Sequence, residues 1–298
     1  MENELKDYSV ATLWQATGGF NRICLIGEGG FGAVYRAMVG LAPVAVKVLD
    51  HGGMQGLKEF HNEMALSRSI QHPHVVRLLG YAAEGGTQCL VYELMSQGNL
   101  EDRLACKDGV APLRWPHRVK VAAQIAYALS YLHQRGITHR DIKPANIFLD
   151  CNLDAKLGDI GLAAMEGRHQ GRQSQSSEAI GTWWYLAPEY KAQGRSSTRT
   201  DVYAFGLSLL QMVSAGQPKD IIRACQNAME ECSLQAIMDP SAGQWESRSC
   251  ERLVKLGLWC CMHVPEQRPA IATVLGELVK MVNGLAASGV LRDEGNDV

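Results

Sequence analysis

The sequence predicts an α+β chain, with strand-forming runs early and helices later, in a length that suits two lobes. Three observations carry this. β-prone runs crowd toward the N-terminal third, at Ile26–Tyr35, Pro43–Leu49 and Cys89–Met95. Apolar residues at helical spacing dominate afterwards, at 115–134, at 201–213 and from Glu251 onward. At 298 residues the chain is about twice a typical domain, the size of one two-lobed unit or of two modest domains sharing a cleft.

Composition narrows the function classes. Hydrophobic residues at 46% and charged residues at 20% are ordinary for a globular protein, and a net charge of −2 argues against nucleic acid or an acidic membrane surface as the main partner. The nine cysteines are scattered with no C-x-x-C pair, which suggests neither a zinc site nor a disulfide framework and fits a reducing compartment. No basic-then-apolar leader, run of eighteen apolar residues or lipidation signal is evident, so no transmembrane segment is expected.

Tyr8–Phe20 reads as a short helix, with Val10, Leu13 and Trp14 apolar, that ends at a Thr-Gly-Gly break. In Ile26–Tyr35, Gly27, Gly29 and Gly32 form a G-x-G-x-x-G spacing, weak on its own. A dinucleotide-binding reading needs a helix to follow, whereas AVYRAMV alternates and is β-prone, so strand-turn-strand is the better assignment. Lys47 sits in the middle of the next strand run, and Glu63 follows sixteen residues later in a helical run. Cys89–Met95 is a further strand that runs into a turn at Gly98. Trp115–Gln134, with Pro116 in its first turn, is a core helix with no chemistry of its own. Asp201–Val213 is apolar on most sides, a helix buried all round whose initial aspartate needs donors. The last ten or so residues, polar and Gly-containing, read as frayed.

Chemistry concentrates between Ile137 and Gly161, which holds Asp141, Asn146 and Asp159. Phosphoryl transfer asks for a hydroxyl aimed in line and for phosphate charge neutralised by metal. Asp141 suits a proton acceptor, while Asn146 and Asp159 offer an amide oxygen and a carboxylate to a hard cation. Lys143 lies two residues past Asp141, within reach of a transferring phosphate.

The motif H-R-D-I-K-P-x-N followed by K-L-G-D-x-G resembles the catalytic and magnesium loops of eukaryotic protein kinases. The lead-in Leu13, Ala16, Thr17 and Phe20, together with QGLKEFHNE, LVYELMSQGNLEDRL and MDP, is similar to plant receptor-like cytoplasmic kinases and their Pelle and interleukin-receptor-associated relatives. The resemblance covers about Tyr8 to Val282. It implies the two-lobed protein kinase fold, a small antiparallel β lobe with one helix and a larger mainly α lobe. The implied division is a lead-in over 1–22 and a kinase domain over 23–283, followed by a flexible tail over 284–298. Within the domain it places the small lobe at about 23–92, a hinge at 93–98 and the large lobe at 99–283.

The implied activity is transfer of the γ-phosphoryl of ATP, with Mg2+ or Mn2+, to Ser or Thr of a protein substrate, in receptor-linked signalling and with self-phosphorylation. Lys143 and Gly181-Thr182 favour Ser/Thr over Tyr. Catalytic residues carried over are Asp141, Lys143 and Lys47, the last paired with Glu63, with Asn146 and Asp159 as metal ligands. ATP falls to Ile26, Gly27, Glu28, Gly29, Gly30, Phe31, Gly32, Val34, Ala45, Lys47, the hinge residues Glu93 and Met95, and Phe148, while Tyr92 gates the back pocket. Glu189 and Arg268, otherwise read as surface charges, are implied to pair, and Asp201 to hold the catalytic loop. Ser174, Ser176, Ser177 and Thr182 are candidate phosphate acceptors for Arg140. The implied setting is cytoplasmic, peripheral at the plasma membrane through a partner such as an upstream receptor kinase.

Five positions depart from the family pattern: Ile160, Phe148, Ser67, Trp184 and Ala164. Two rival readings remain, a pseudokinase that only binds partners and a small-molecule phosphotransferase. The first is opposed by the full set Lys47, Glu63, Asp141, Asn146 and Asp159, the second by the glycine loop combined with Ala187-Pro188-Glu189 and Arg268.

Overall fold

A computed structural model describes residues 5–29, 32–49, 54–165 and 181–291. They form two compact units, one of residues up to Ser96 together with Gly158–Leu162, the other of Gln97–Leu157 and the residues from Ala163 onward.

The first unit contains β1 (Lys6–Asp7), α1 (Val10–Ala16), β2 (Leu25–Gly29), β3 (Gly32–Val39), β4 (Ala42–Leu49), α2 (Met54–Ser69), β5 (Leu78–Glu84) and β6 (Thr87–Glu93). Its six strands make one sheet in the order β1-β5-β6-β4-β3-β2. All pairings are antiparallel except that of β1, which joins β5 in parallel, an addition that no periodicity in two residues can announce. The glycine-rich run holds two antiparallel strands, β2 and β3, as expected, with Gly30 and Phe31 between them outside the described residues. At Gly32, φ is +128° and an added Cβ would collide with the Val48 carbonyl, so both conformation and space exclude a side chain.

Side chains alternate across the pleat, which gives the central strand β4 two different faces. Val44 and Val46 pack with Cys89, Val91 and Leu13 of α1, while Leu49 packs with Leu90 and Phe60 of α2. The sheet is therefore covered by α1 on one side and α2 on the other. Ser9 fixes the start of α1 by accepting from the Thr12 N–H at 3.1 Å. Since Leu13 is 0% exposed, Leu13→Ala is expected to cost about 2–5 kcal/mol. A thermal melt checks this; an unchanged melting temperature would show that α1 does not support the sheet.

The second unit comprises α3 (Leu100–Leu104), α4 (Trp115–Gln134), β7 (Ile137–Thr138), β8 (Ile147–Leu149), β9 (Ala155–Leu157), β10 (Ala164–Met165), α5 (Pro188–Gln193), α6 (Thr198–Ser214), α7 (Ile221–Glu230), α8 (Ser247–Cys260) and α9 (Ile271–Ala287). Strand β8 pairs with β9, and β7 with β10. The helix α6 is buried nearly all along its length behind a Ser197/Thr200 capping box. By length and composition, Pro265–Ala287 is apolar enough to cross a membrane, with a mean hydropathy of 1.4. Here Ile271, Val274, Leu278, Met281 and Leu285 are buried at helical spacing, and α9 packs against α4. Its other side carries the Glu277–Lys280 ion pair.

Arg118, fully buried, donates to Leu113 O at 2.5 Å, Met212 O at 3.0 Å and Asp239 Oδ2 at 2.5 Å, tying α4 to the end of α6 and to the turn at Asp239. The core helix therefore does carry a polar function, a structural one.

Candidate active site

In the first unit the register sets Lys47 opposite Val34 and Leu90, and Ala45 opposite Tyr92, so these five side chains share the α2 face of the sheet. The Lys47 ammonium lies 3.5 Å from Glu63 Oε2 and 3.0 Å from Asp159 Oδ1. Burial pushes the Glu63 carboxyl up, Lys47 pulls it back and Asp159 pushes it further, with a net raised pKa. The Tyr92 phenol is likewise raised, by burial first and then by Glu63 and Asp159. Its oxygen lies close enough to feel both carboxylates yet finds no hydrogen-bond partner of good geometry.

Asp159 has φ 58, in the left-handed region that aspartate tolerates better than most residues. The segment after it is held to α2, where Asn62 Nδ2 donates to Gly161 O at 2.8 Å. This hydrogen bond and the Lys47–Asp159 pair tie Gly158–Leu162 to the first unit. Ile160, one of the positions that depart from the family pattern, is buried. Ile26, Gly27, Glu28 and Gly29 line exposed β2; Gly30 and Phe31 fall outside the described residues. Glu93 closes β6, its N–H bonded to Arg77 O at 3.1 Å and its carboxylate accepting from the Arg77 N–H at 2.7 Å. Met95 follows, half-buried.

In the second unit Asp141 is 4% exposed and fully engaged. One carboxylate oxygen accepts from the Thr182 N–H at 3.1 Å and the Thr182 hydroxyl at 2.9 Å. The other accepts from the Lys143 ammonium at 2.8 Å and from Asn146 Nδ2 at 2.9 Å. Burial opposes ionisation, but Lys143 and Thr182 outweigh it and hold the carboxyl below the usual range. Asp141 is thus an ionised group, able to accept a proton and poised beside a cation.

Asn146 also donates to Asp141 O at 2.8 Å. Both acceptors of its amide nitrogen are oxygens, which fixes the amide orientation and leaves the side-chain oxygen without a partner among the described residues. A hard cation would find there one neutral oxygen; the Asp159 carboxylate is a separate donor, in the first unit. No group of three His, Cys, Asp or Glu among the described residues is placed to hold a metal alone. Such a sparse donor set fits a cation that keeps waters and substrate oxygens in its shell.

The loop that carries Asp141 is fixed from below. Asp201, 1% exposed, accepts from the His139 N–H at 2.8 Å, the Arg140 N–H at 2.9 Å and His133 Nε2 at 2.9 Å. Arg140 can hold φ 72 because its N–H is pinned there. Gly181 passes so close that a Cβ would stand 2.7 Å from Arg140 O, and its φ is +122°. Phe148 lies in β8, half-buried. Farther on, buried Arg268 grips Glu189 with both nitrogens at 2.6 and 2.8 Å.

Thr182, one of the candidate phosphate acceptors, shares its hydroxyl between Asp141 and Lys143, the latter at 2.6 Å. It is part of the site itself. The three other candidates, Ser174, Ser176 and Ser177, fall outside the described residues.

The family model of protein tyrosine and serine/threonine kinases matches residues 20–278. The chain is 36% identical over 286 residues to "U-box domain-containing protein 33" of Arabidopsis thaliana, covering 95% of this chain and 34% of that protein. It is 35% identical over 289 residues to "Putative L-type lectin-domain containing receptor kinase II.2" of the same plant, covering 92% and 41%. With the Arabidopsis "Probable serine/threonine-protein kinase PBL26" the identity is 38% over 289 residues, covering 91% and 69%. The chain spans only about a third to two-fifths of the first two relatives, and most of the third. A match over most of the chain, by model and by a relative covered over two thirds of its length, shows that the chain belongs to the protein kinase family.

Proposed function

We propose that this chain is an ATP-dependent protein kinase that phosphorylates Ser and Thr hydroxyls. The observation that carries the reading is the Asp141 carboxylate, buried yet kept ionised between Lys143, Thr182 and Asn146. When bound, ATP supplies the phosphoryl group and Mg2+ or Mn2+ neutralises its oxygens.

The chain's own residues do the rest. Asp141 accepts the proton of the attacking hydroxyl, and that hydroxyl takes the place of part of the present hydrogen-bond set. Lys143, already bound to Asp141, offers its ammonium to the transferring group. Lys47 binds phosphate oxygens, aimed by Glu63, whose burial keeps the pair rigid. Asp159 in the first unit and the free oxygen of Asn146 in the second would each serve as a metal ligand. Val34 and Ala45, on the face that carries Lys47, would contact the base in the first unit, where Glu93 and Met95 would form the hinge; Phe148, in the second unit, is the remaining candidate for the base. The Asp201 and Glu189–Arg268 anchors hold the backbone around the site.

Self-phosphorylation falls to Ser174, Ser176, Ser177 or Thr182. Receptor-linked signalling at the cytoplasmic face of a membrane, through a receptor kinase partner, is supported by a relative named as a receptor kinase. Lys47→Met tests the nucleotide site. Losing a charge-assisted contact is expected to weaken ATP binding roughly tenfold to a hundredfold, read by nucleotide-induced thermal shift. A variant that binds ATP as tightly as wild type would contradict the role of Lys47.

A further inference from the structure

Two exposed tryptophans follow directly in the chain on a residue that touches Asp141. Thr182, which touches the Asp141 carboxylate through both its N–H and its hydroxyl, is followed by Trp183 and Trp184, 59% and 48% exposed. They occupy the short 3-10 turn Trp183–Tyr185. The chain on their far side is firmly seated: Tyr185 is buried and its hydroxyl donates to Gln211 Oε1 at 2.6 Å, and Leu186, Ala187 and Tyr190 pack together under it. The indoles are thus presented by an anchored segment.

Each indole carries a cation. The Lys191 ammonium lies 5.1 Å from the Trp183 ring centre and the Lys219 ammonium 5.9 Å from that of Trp184. Among the described residues neither lysine is in an ion pair. Large rings left in water next to unneutralised ammonium groups form a surface complementary to something both apolar and acidic.

We propose that Trp183, Trp184, Lys191 and Lys219 dock the polypeptide substrate and select acidic and apolar residues next to the acceptor Ser or Thr. This rests on the kinase reading above. The acceptor hydroxyl must come to Asp141 to give up its proton, and neighbouring residues of an extended peptide then lie about 3.5–7 Å farther along. The two tryptophans are one and two residues from Thr182, the residue in contact with Asp141, so the flanks of the peptide reach them. Acidic flanks meet two cations there and basic flanks are repelled.

The test compares two synthetic Ser peptides, identical and Leu-containing except that the charged flanking positions are Glu in one and Lys in the other. With ATP and Mg2+, kcat/KM of the wild type is expected to favour the Glu peptide about tenfold. That ratio should shrink as salt rises from about 0.05 to about 0.5 M. In Lys191→Glu/Lys219→Glu it should invert, and because it is taken within each protein a general loss of activity cancels. Trp183→Ala/Trp184→Ala should raise KM for both peptides more than it lowers kcat. Equal wild-type rates for the two peptides overturn the proposal, and this arm does not depend on any variant folding. So does a ratio that survives charge reversal, or transfer to neither peptide by a wild type that still labels itself. A wild type that labels neither itself nor a peptide overturns the kinase reading as well.

Discussion

Asp141→Asn is expected to lower kcat for phosphoryl transfer by roughly 10²–10⁴-fold, the usual worth of a positioned general base, with ATP affinity nearly unchanged. The substitution keeps the volume and removes the charge. Both carboxylate oxygens of Asp141 accept hydrogen bonds now, from Thr182 on one side and from Lys143 and Asn146 on the other. Whichever way an amide turns, its NH2 faces donors, so the site loses acceptor capacity as well as basicity. Nucleotide binding rests on Lys47 and its partners in the first unit and does not need the base. Steady-state kinetics separate the two effects. A variant with wild-type kcat would remove Asp141 from the chemistry.

The second large effect is on stability. Asp239→Ala leaves the fully buried Arg118 guanidinium with only two backbone carbonyls. Breaking a buried pair by deleting one partner typically costs about 3–5 kcal/mol, and the double variant Arg118→Met/Asp239→Ala should recover part of it. The loss should depend on pH in a definite direction. Burial alone would raise the Asp239 carboxyl, but Ser241 and Arg118 outweigh it and hold the pKa below the ordinary value. A depressed folded-state pKa contributes stability that is present above the unfolded value and lost as pH falls through the folded one. The gap between wild type and Asp239→Ala should therefore be widest near neutrality and narrow below about pH 4. Thermal melts at several pH values read this; a gap that widens in acid would contradict the pairing.

What the sequence could show follows from which forces leave a local trace. The helix α4 was legible to its ends, because its apolar spacing is unbroken and Pro116 marks its first turn. That strands rather than a helix follow the glycines was legible from the alternation of β3, and Asp201 from an acid near the start of an otherwise apolar helix. Arg118 was not, since one arginine in a helix reads as a solvated side chain until α6 and Asp239 close over it. The parallel pairing of β1 with β5 was equally hidden, two residues being too few for any period. For the site, motif spacing singled out Lys47, Glu63, Asp141, Asn146 and Asp159, and the structure pairs the first two with Asp159 in one unit and the other two in the second. The bracket of Asp141 by Thr182 spans forty-one positions and leaves no local signature. The exposure of Trp183 and Trp184 runs against the ordinary placement of large aromatics, so sequence patterning had no means to indicate it.

The central claim, phosphoryl transfer through Asp141, is tested most directly by incubating the purified chain with ATP and Mg2+ beside Asp141→Asn and mapping incorporated phosphate by mass spectrometry. The account predicts phosphate on Ser174, Ser176, Ser177 or Thr182 of the wild type and none on the variant. Phosphate on the variant at the wild-type rate would contradict the assignment of the base, and a wild type that neither incorporates phosphate nor is stabilised by nucleotide would contradict the enzyme itself.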